Sequence, residues 1–195
     1  MNKQQISSIV SILLLATLSF SAHAHTEGGI MHSFSDGFMH PWLGVDHLLA
    51  MTAIGVWAVV LGGHSVWLLP TVFMTGMLAG AMLQFSGLML NGVEIWVTLS
   101  VFALGLVLLV NQHMTMFLST ALVATFALAH GYVHAVEIGT DSSAATYALG
   151  FLTATAALHV TGIIAGLSGP VMLKTLQTCV GLICMLAGVV LLAGA

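Results

Sequence analysis

Between residues 41 and 192 the chain is six long apolar runs joined by connections of only a few residues. The runs cover residues 41–61, 66–90, 93–110, 114–136, 144–167 and 171–192, and glycine, asparagine, serine or histidine marks most of the joints. A helix needs ~20 apolar residues to cross a bilayer, whereas a barrel strand needs ~10 with strict alternation. Inside hydrocarbon every backbone group must also be paired within the chain, which a helix does by itself. With 2 Lys/Arg and 6 Asp/Glu among 195 residues, the chain lacks the charge to cover a soluble domain. The expectation is therefore an all-α membrane protein, a compact bundle of about six transmembrane helices in a single domain over residues 25–195. No basic patch is present to engage nucleic acid.

Residues 1–24 read as a signal peptide. Lys3 supplies a positive start, Ile6 to Phe20 an apolar core, and Ala22-His23-Ala24 an A-x-A cleavage site. Cleavage there leaves His25 as the mature N-terminus, whose amine and imidazole together can chelate a metal such as nickel or copper(II). A cleaved signal puts the mature N-terminus outside, and six crossings return the C-terminus to the same side. The expected location is a bacterial inner membrane, with both termini periplasmic. Lys174, the one mature Lys or Arg, then falls inside, as the positive-inside rule asks. Glu27, Asp36, Asp46, Glu94, Glu137 and Asp141 all fall outside, forming an electronegative vestibule that concentrates cations.

Ionisable residues within such runs are expensive and tend to face a bundle interior or a water-filled path. In His40-Pro-Trp-Leu-Gly-Val-Asp46-His47, a continuous helix stacks His40 over His47, about 20° apart in projection. Asp46 is near enough to ligate alongside His47 or to orient it. Pro41 reads as the first residue of that helix. In the fourth run, His130, His134 and Glu137 at offsets 0, +4 and +7 form one stripe within about 60°. The topology brings both groups to one depth at the outer end. His159 lies deeper, ~20 Å along the fifth run, with Thr155 one turn before it; it reads as a further point on a path. His64 and His113 fall on inner connections and read as ordinary loop residues, while His32 and Asp36 belong with the vestibule.

Imidazole and carboxylate without thiolate suit Ni²⁺, Co²⁺, Zn²⁺ or Cu²⁺ rather than Cu(I), Mg²⁺ or Ca²⁺. Cys179 and Cys184 point about 140° apart on a helix, so they read as packing residues, as do the 12 methionines. Gly76-x-x-x-Gly80 and Gly162-x-x-x-Gly166 offer small faces for close helix contact.

Three stretches resemble the HupE/UreJ proteins: Phe34 to Met51, which contains His40-Pro-Trp-Leu-Gly-Val-Asp-His47; Phe126 to Glu137, containing His130-Gly-Tyr-Val-His134; and Gly150 to Gly162, containing His159. The resemblance spans nearly the whole mature chain, with Ala135 standing where a second glycine is expected. It implies a nickel or cobalt permease associated with hydrogenases or ureases, not an enzyme, with His40, Asp46, His47, His130, His134 and Glu137 handling the metal. The divalent ion is then substrate rather than resident cofactor. The partners implied are that ion, the lipid bilayer and, indirectly, hydrogenase or urease maturation, with a homo-oligomer left open. A membrane metalloenzyme or a haem-binding protein built on the same histidines stands as the alternative.

Overall fold

A computed structural model describes residues 33–110, 114–138 and 144–194; the signal segment, His25, His32, His113 and Asp141 lie outside the described residues. Among the described residues there are seven helices and no strands. They are α1 (Phe34–Leu43), α2 (Val45–Leu61), α3 (Ser65–Phe85), α4 (Val93–Val110), α5 (Met116–Glu137), α6 (Ala144–Leu167) and α7 (Pro170–Gly194). Five of these, α3 to α7, are long and apolar enough to cross a membrane, and α1 with α2, bent by 79° at their break, meets the same length and composition only when the two are taken together. The chain is an all-α, multi-pass membrane protein.

The first apolar run is thus a broken span rather than one helix. It starts earlier than Pro41 suggests, because Ser33 and Asp36 build a capping box. The Ser33 backbone N–H and hydroxyl both donate to Asp36 Oδ2 (3.2 and 2.8 Å), and the Asp36 N–H returns to Ser33 Oγ (3.1 Å). Pro41 then lies inside α1, where it has no N–H to give the preceding turn. Two residues later α1 stops, and Gly44 in an extended conformation redirects the chain into α2. A Cβ on Gly44 would sit 3.1 Å from Asp46 Oδ1, so the glycine keeps room for that carboxylate.

The second run also ends sooner than its apolar composition suggests. α3 stops at Phe85, Gly87 and Gly92 take positive φ (82° and 75°), and the intervening strap is tied down by Tyr132. The Tyr132 hydroxyl donates to Leu88 O (2.7 Å) and accepts from the Leu90 N–H (2.9 Å).

Packing divides the helices into close partnerships made by glycine. α3 lies against α5, with Gly80 on the Leu128 carbonyl, Gly131 on the Met77 carbonyl and Gly76 beside Ala127. α6 carries both halves of the broken span. Gly37 and Gly150 meet the facing backbones of α6 and α1, and Gly55 and Gly162 those of α6 and α2. Both small-residue motifs of the sequence are therefore contact faces, as is the position of Ala135, which is buried. α4 packs with α7. The core, from Ala50 to Ala58 outward to Leu69, Phe73, Leu104 and Leu158, gathers around α2.

Candidate metal site

The α2 N-terminus and the α5 C-terminus lie at one end of the bundle, so His40, Asp46 and His47 meet His130 and His134. His47 is fully buried, and its ring centroid lies 3.9 Å from that of His134, 4.9 Å from His130 and 6.0 Å from His40. His40 Nε2 is hydrogen-bonded to His134 Nδ1 at 3.1 Å. The break at Gly44, not a shared helical face, brings His40 and His47 together.

Asp46 follows the break directly. Its Oδ1 accepts the His47 backbone N–H at 2.9 Å and lies 3.6 Å from His47 Nδ1. A carboxylate in the first turn also suits the partial positive charge of a helix N-terminus. Asp46, His47 and His134 each offer one donor atom, and these atoms all lie within 4.8 Å of one another. Donors bound to one ion at ~2.1 Å are at most ~4.2 Å apart, so a contraction of about half an ångström completes the set.

His130 stands one turn below His134, fully buried. Its Nδ1 bonds the Phe126 carbonyl at 2.9 Å. A carbonyl can only accept, so Nδ1 carries the proton and the lone pair resides on Nε2. That nitrogen is buried and has no hydrogen-bond partner among the described residues, as is true of both ring nitrogens of His47. Buried polar atoms are nearly always bonded, so a cluster of such nitrogens beside a carboxylate has the makings of a cation site. Glu137 ends α5 at the same level, but its side chain lies outside the described residues.

Aromatic rings wall the cluster. Phe151 of α6 has its centroid 5.6, 5.2 and 5.5 Å from those of His40, His47 and His134. Tyr147 lies 6.2 Å from His40. Phe73 of α3 closes the inner side, 5.5 Å from His130. The sequence reading missed all three. The α6 row Tyr147, Phe151, Thr155, His159, buried at every fourth residue, was the available signal. A small apolar cleft lined by Met77, Gly131, His134, Ala148 and Phe151 reaches His134 between α6 and the α3–α5 pair.

His159 is not part of the cluster; its ring lies 5.4 Å from that of Phe73. His64 precedes α3 at the opposite end of the bundle and is exposed. Cys179 and Cys184 are both free thiols.

A family model described as HupE / UreJ protein matches residues 12–191. A protein of Rhizobium leguminosarum bv. viciae named Protein HupE is 40% identical over 159 residues, 80% of this chain and 82% of that protein. No solved structure matches the chain. With the match running through the broken span, the histidine pair of α5 and His159 alike, the chain belongs to the HupE / UreJ family.

Proposed function

We propose that the protein is a permease for a divalent transition-metal ion, Ni²⁺ or Co²⁺, which it imports from the periplasm to the cytoplasm for metalloenzyme maturation. The observation that carries this reading is the convergence of Asp46, His47 and His134, from two separate helices, on one point inside a membrane bundle. His40, His130 and Glu137 complete the entrance site, and His25 is an outer chelate. Imidazole and carboxylate donors favour a borderline divalent ion. Their convergence on a point suits an ion rather than the flat disc of a haem or the paired metals of an oxidase.

The protein acts as a dehydrating entrance. An acidic rim that includes Asp36 and Glu94 gathers cations, and the cluster replaces part of their water shell with nitrogen. The drive comes from gradients or an external partner, and the membrane potential alone suffices in principle. At ~2.3 kcal/mol per charge per 100 mV, a dication gains ~4.6 kcal/mol, about a thousandfold accumulation. Cells expressing the protein are expected to take up radioactive nickel saturably, with cobalt competing. Uptake no greater than in cells lacking it would end this reading.

Orientation follows from a cleaved leader and an inside Lys174. N-terminal sequencing of the membrane-extracted protein is expected to begin at His25. After Cys179 and Cys184 are replaced, Ser86→Cys at the cluster end of the bundle should react with an impermeant thiol reagent in intact spheroplasts. Lys174→Cys should not. The reverse pattern would turn the bundle over and make the cluster an exit.

A further inference from the structure

His159 repeats, on α6, the arrangement of His130 on α5. Its Nδ1 bonds the carbonyl four residues back, Thr155 O at 2.8 Å, so its lone pair also resides on Nε2. The residue is buried, and Nε2 has no hydrogen-bond partner among the described residues. The two imidazoles flank one ring: Phe73 lies 5.5 Å from His130 and 5.4 Å from His159.

Thr155, one turn away, is the second observation. Threonines inside a span satisfy their hydroxyls on the carbonyl four residues back. Thr153 and Thr161 of the same helix do so, at 2.7 and 2.8 Å. Thr155 is fully buried, and its Oγ1 has no partner among the described residues. A lone-pair nitrogen and a hydroxyl oxygen, both out of water, are thus left one turn apart near the middle of the bundle. His159 stands ~22 Å from the Ala144 end of α6 and ~12 Å from its Leu167 end.

We propose that His159 Nε2, with the unpartnered Thr155 Oγ1 one turn away, is a second ligand station for the transported divalent ion, sharing the Phe73 ring with His130 of the entrance cluster. This inference rests on the permease reading. An imidazole nitrogen suits the same borderline ions as the entrance. One nitrogen and one neutral oxygen hold such an ion weakly, as transit requires, since a site that binds firmly does not release. Phe73 lies against both imidazoles, so an ion passing from His130 to His159 moves along that ring.

The test uses full-length protein with Cys179 and Cys184 changed to Ala, and Co²⁺ as the probe. His159→Leu is expected to keep the Co²⁺ ligand-field absorption of the entrance cluster while uptake falls at least tenfold. His159→Cys is expected to develop a thiolate-to-cobalt charge-transfer band that the cysteine-free parent lacks, a readout that a purely structural histidine would not give. If His159→Leu does not fold, the His159→Cys spectrum alone decides. Wild-type uptake in His159→Leu, or no thiolate band in His159→Cys with the entrance loaded, overturns the station; the second result leaves a bridging water as the partner of Thr155. If the parent shows no cobalt spectrum and His47→Ala transports normally, the permease site itself is wrong and the station falls with it.

Discussion

His47→Asn is expected to lower nickel uptake at limiting metal by about a hundredfold or more, with the protein still present in the membrane. Removing a group that merely orients a metal ligand costs ~10–100-fold in affinity or activity, and His47 is at the centre of the donor set itself. Its ring is the closest neighbour of His134, and it is fully buried, so neither bulk water nor another side chain can take its place. Asparagine keeps a polar group of smaller but comparable size while discarding both ring nitrogens. The paired variant His134→Gln should fall to a similar level. Combining the two should add little, because one lost donor already dismantles the set. His64→Ala, exposed at the opposite end of the bundle, is the control and should transport normally. Near-normal uptake by both His47→Asn and His134→Gln would reject the metal site and leave a structural polar cluster.

The second large effect concerns the fold. Gly131→Val and Gly55→Val should each remove most folded protein, because the new side chains run into main chain rather than a movable side chain. At Gly131 the obstacle is the Met77 carbonyl; at Gly55 it is the His159 carbonyl and the Gly162 Cα, 3.0 Å away. Overpacking a core costs ~1–3 kcal/mol where side chains can give, and more where only a helix axis can move. A drop in detergent melting temperature of more than about 10 °C is expected, or no extractable protein. Gly194→Ala, with open space around it, should melt with wild type. Wild-type melting of Gly131→Val would show that the α3–α5 contact is looser than described.

The helical runs and the meeting of the two histidine motifs were both legible in the sequence, and for one reason. Spans of this apolarity joined by short connections must run up and down, which brings the start of one segment level with the end of another. The break at Gly44 was not legible from Pro41, a residue as much at home in a first helical turn as at a kink. The capping box of Ser33 and Asp36 was the overlooked sign that a helix already precedes the proline. The bend itself comes from tertiary packing, since α6 grips α1 at Gly37 and α2 at Gly55. Phe73 sits in a run apolar on all faces, where no polar side marks which ring looks inward. Phe151, by contrast, shares the four-residue row of Thr155 and His159 and could have been read from it. His159 was visible as a buried histidine, but its likeness to His130 depends on hydrogen bonds that spacing alone does not disclose.

The pairing of helices by glycine has a consequence for how such a bundle moves. α1 and α2 are braced on α6, and α5 is braced on α3; α5 meets the broken span mainly through its imidazoles. His40 and His47 belong to one braced unit, His130 and His134 to the other. An ion bonded to His47 and His134 at once would therefore tie together two glycine-packed units that otherwise meet where α2 packs on α3. Its occupancy and the angle between those bodies are one equilibrium, shifted by the difference in affinity between closed and parted forms. On the permease reading, cargo and latch would then be the same atom: its arrival would favour the closed form and its departure the parted one.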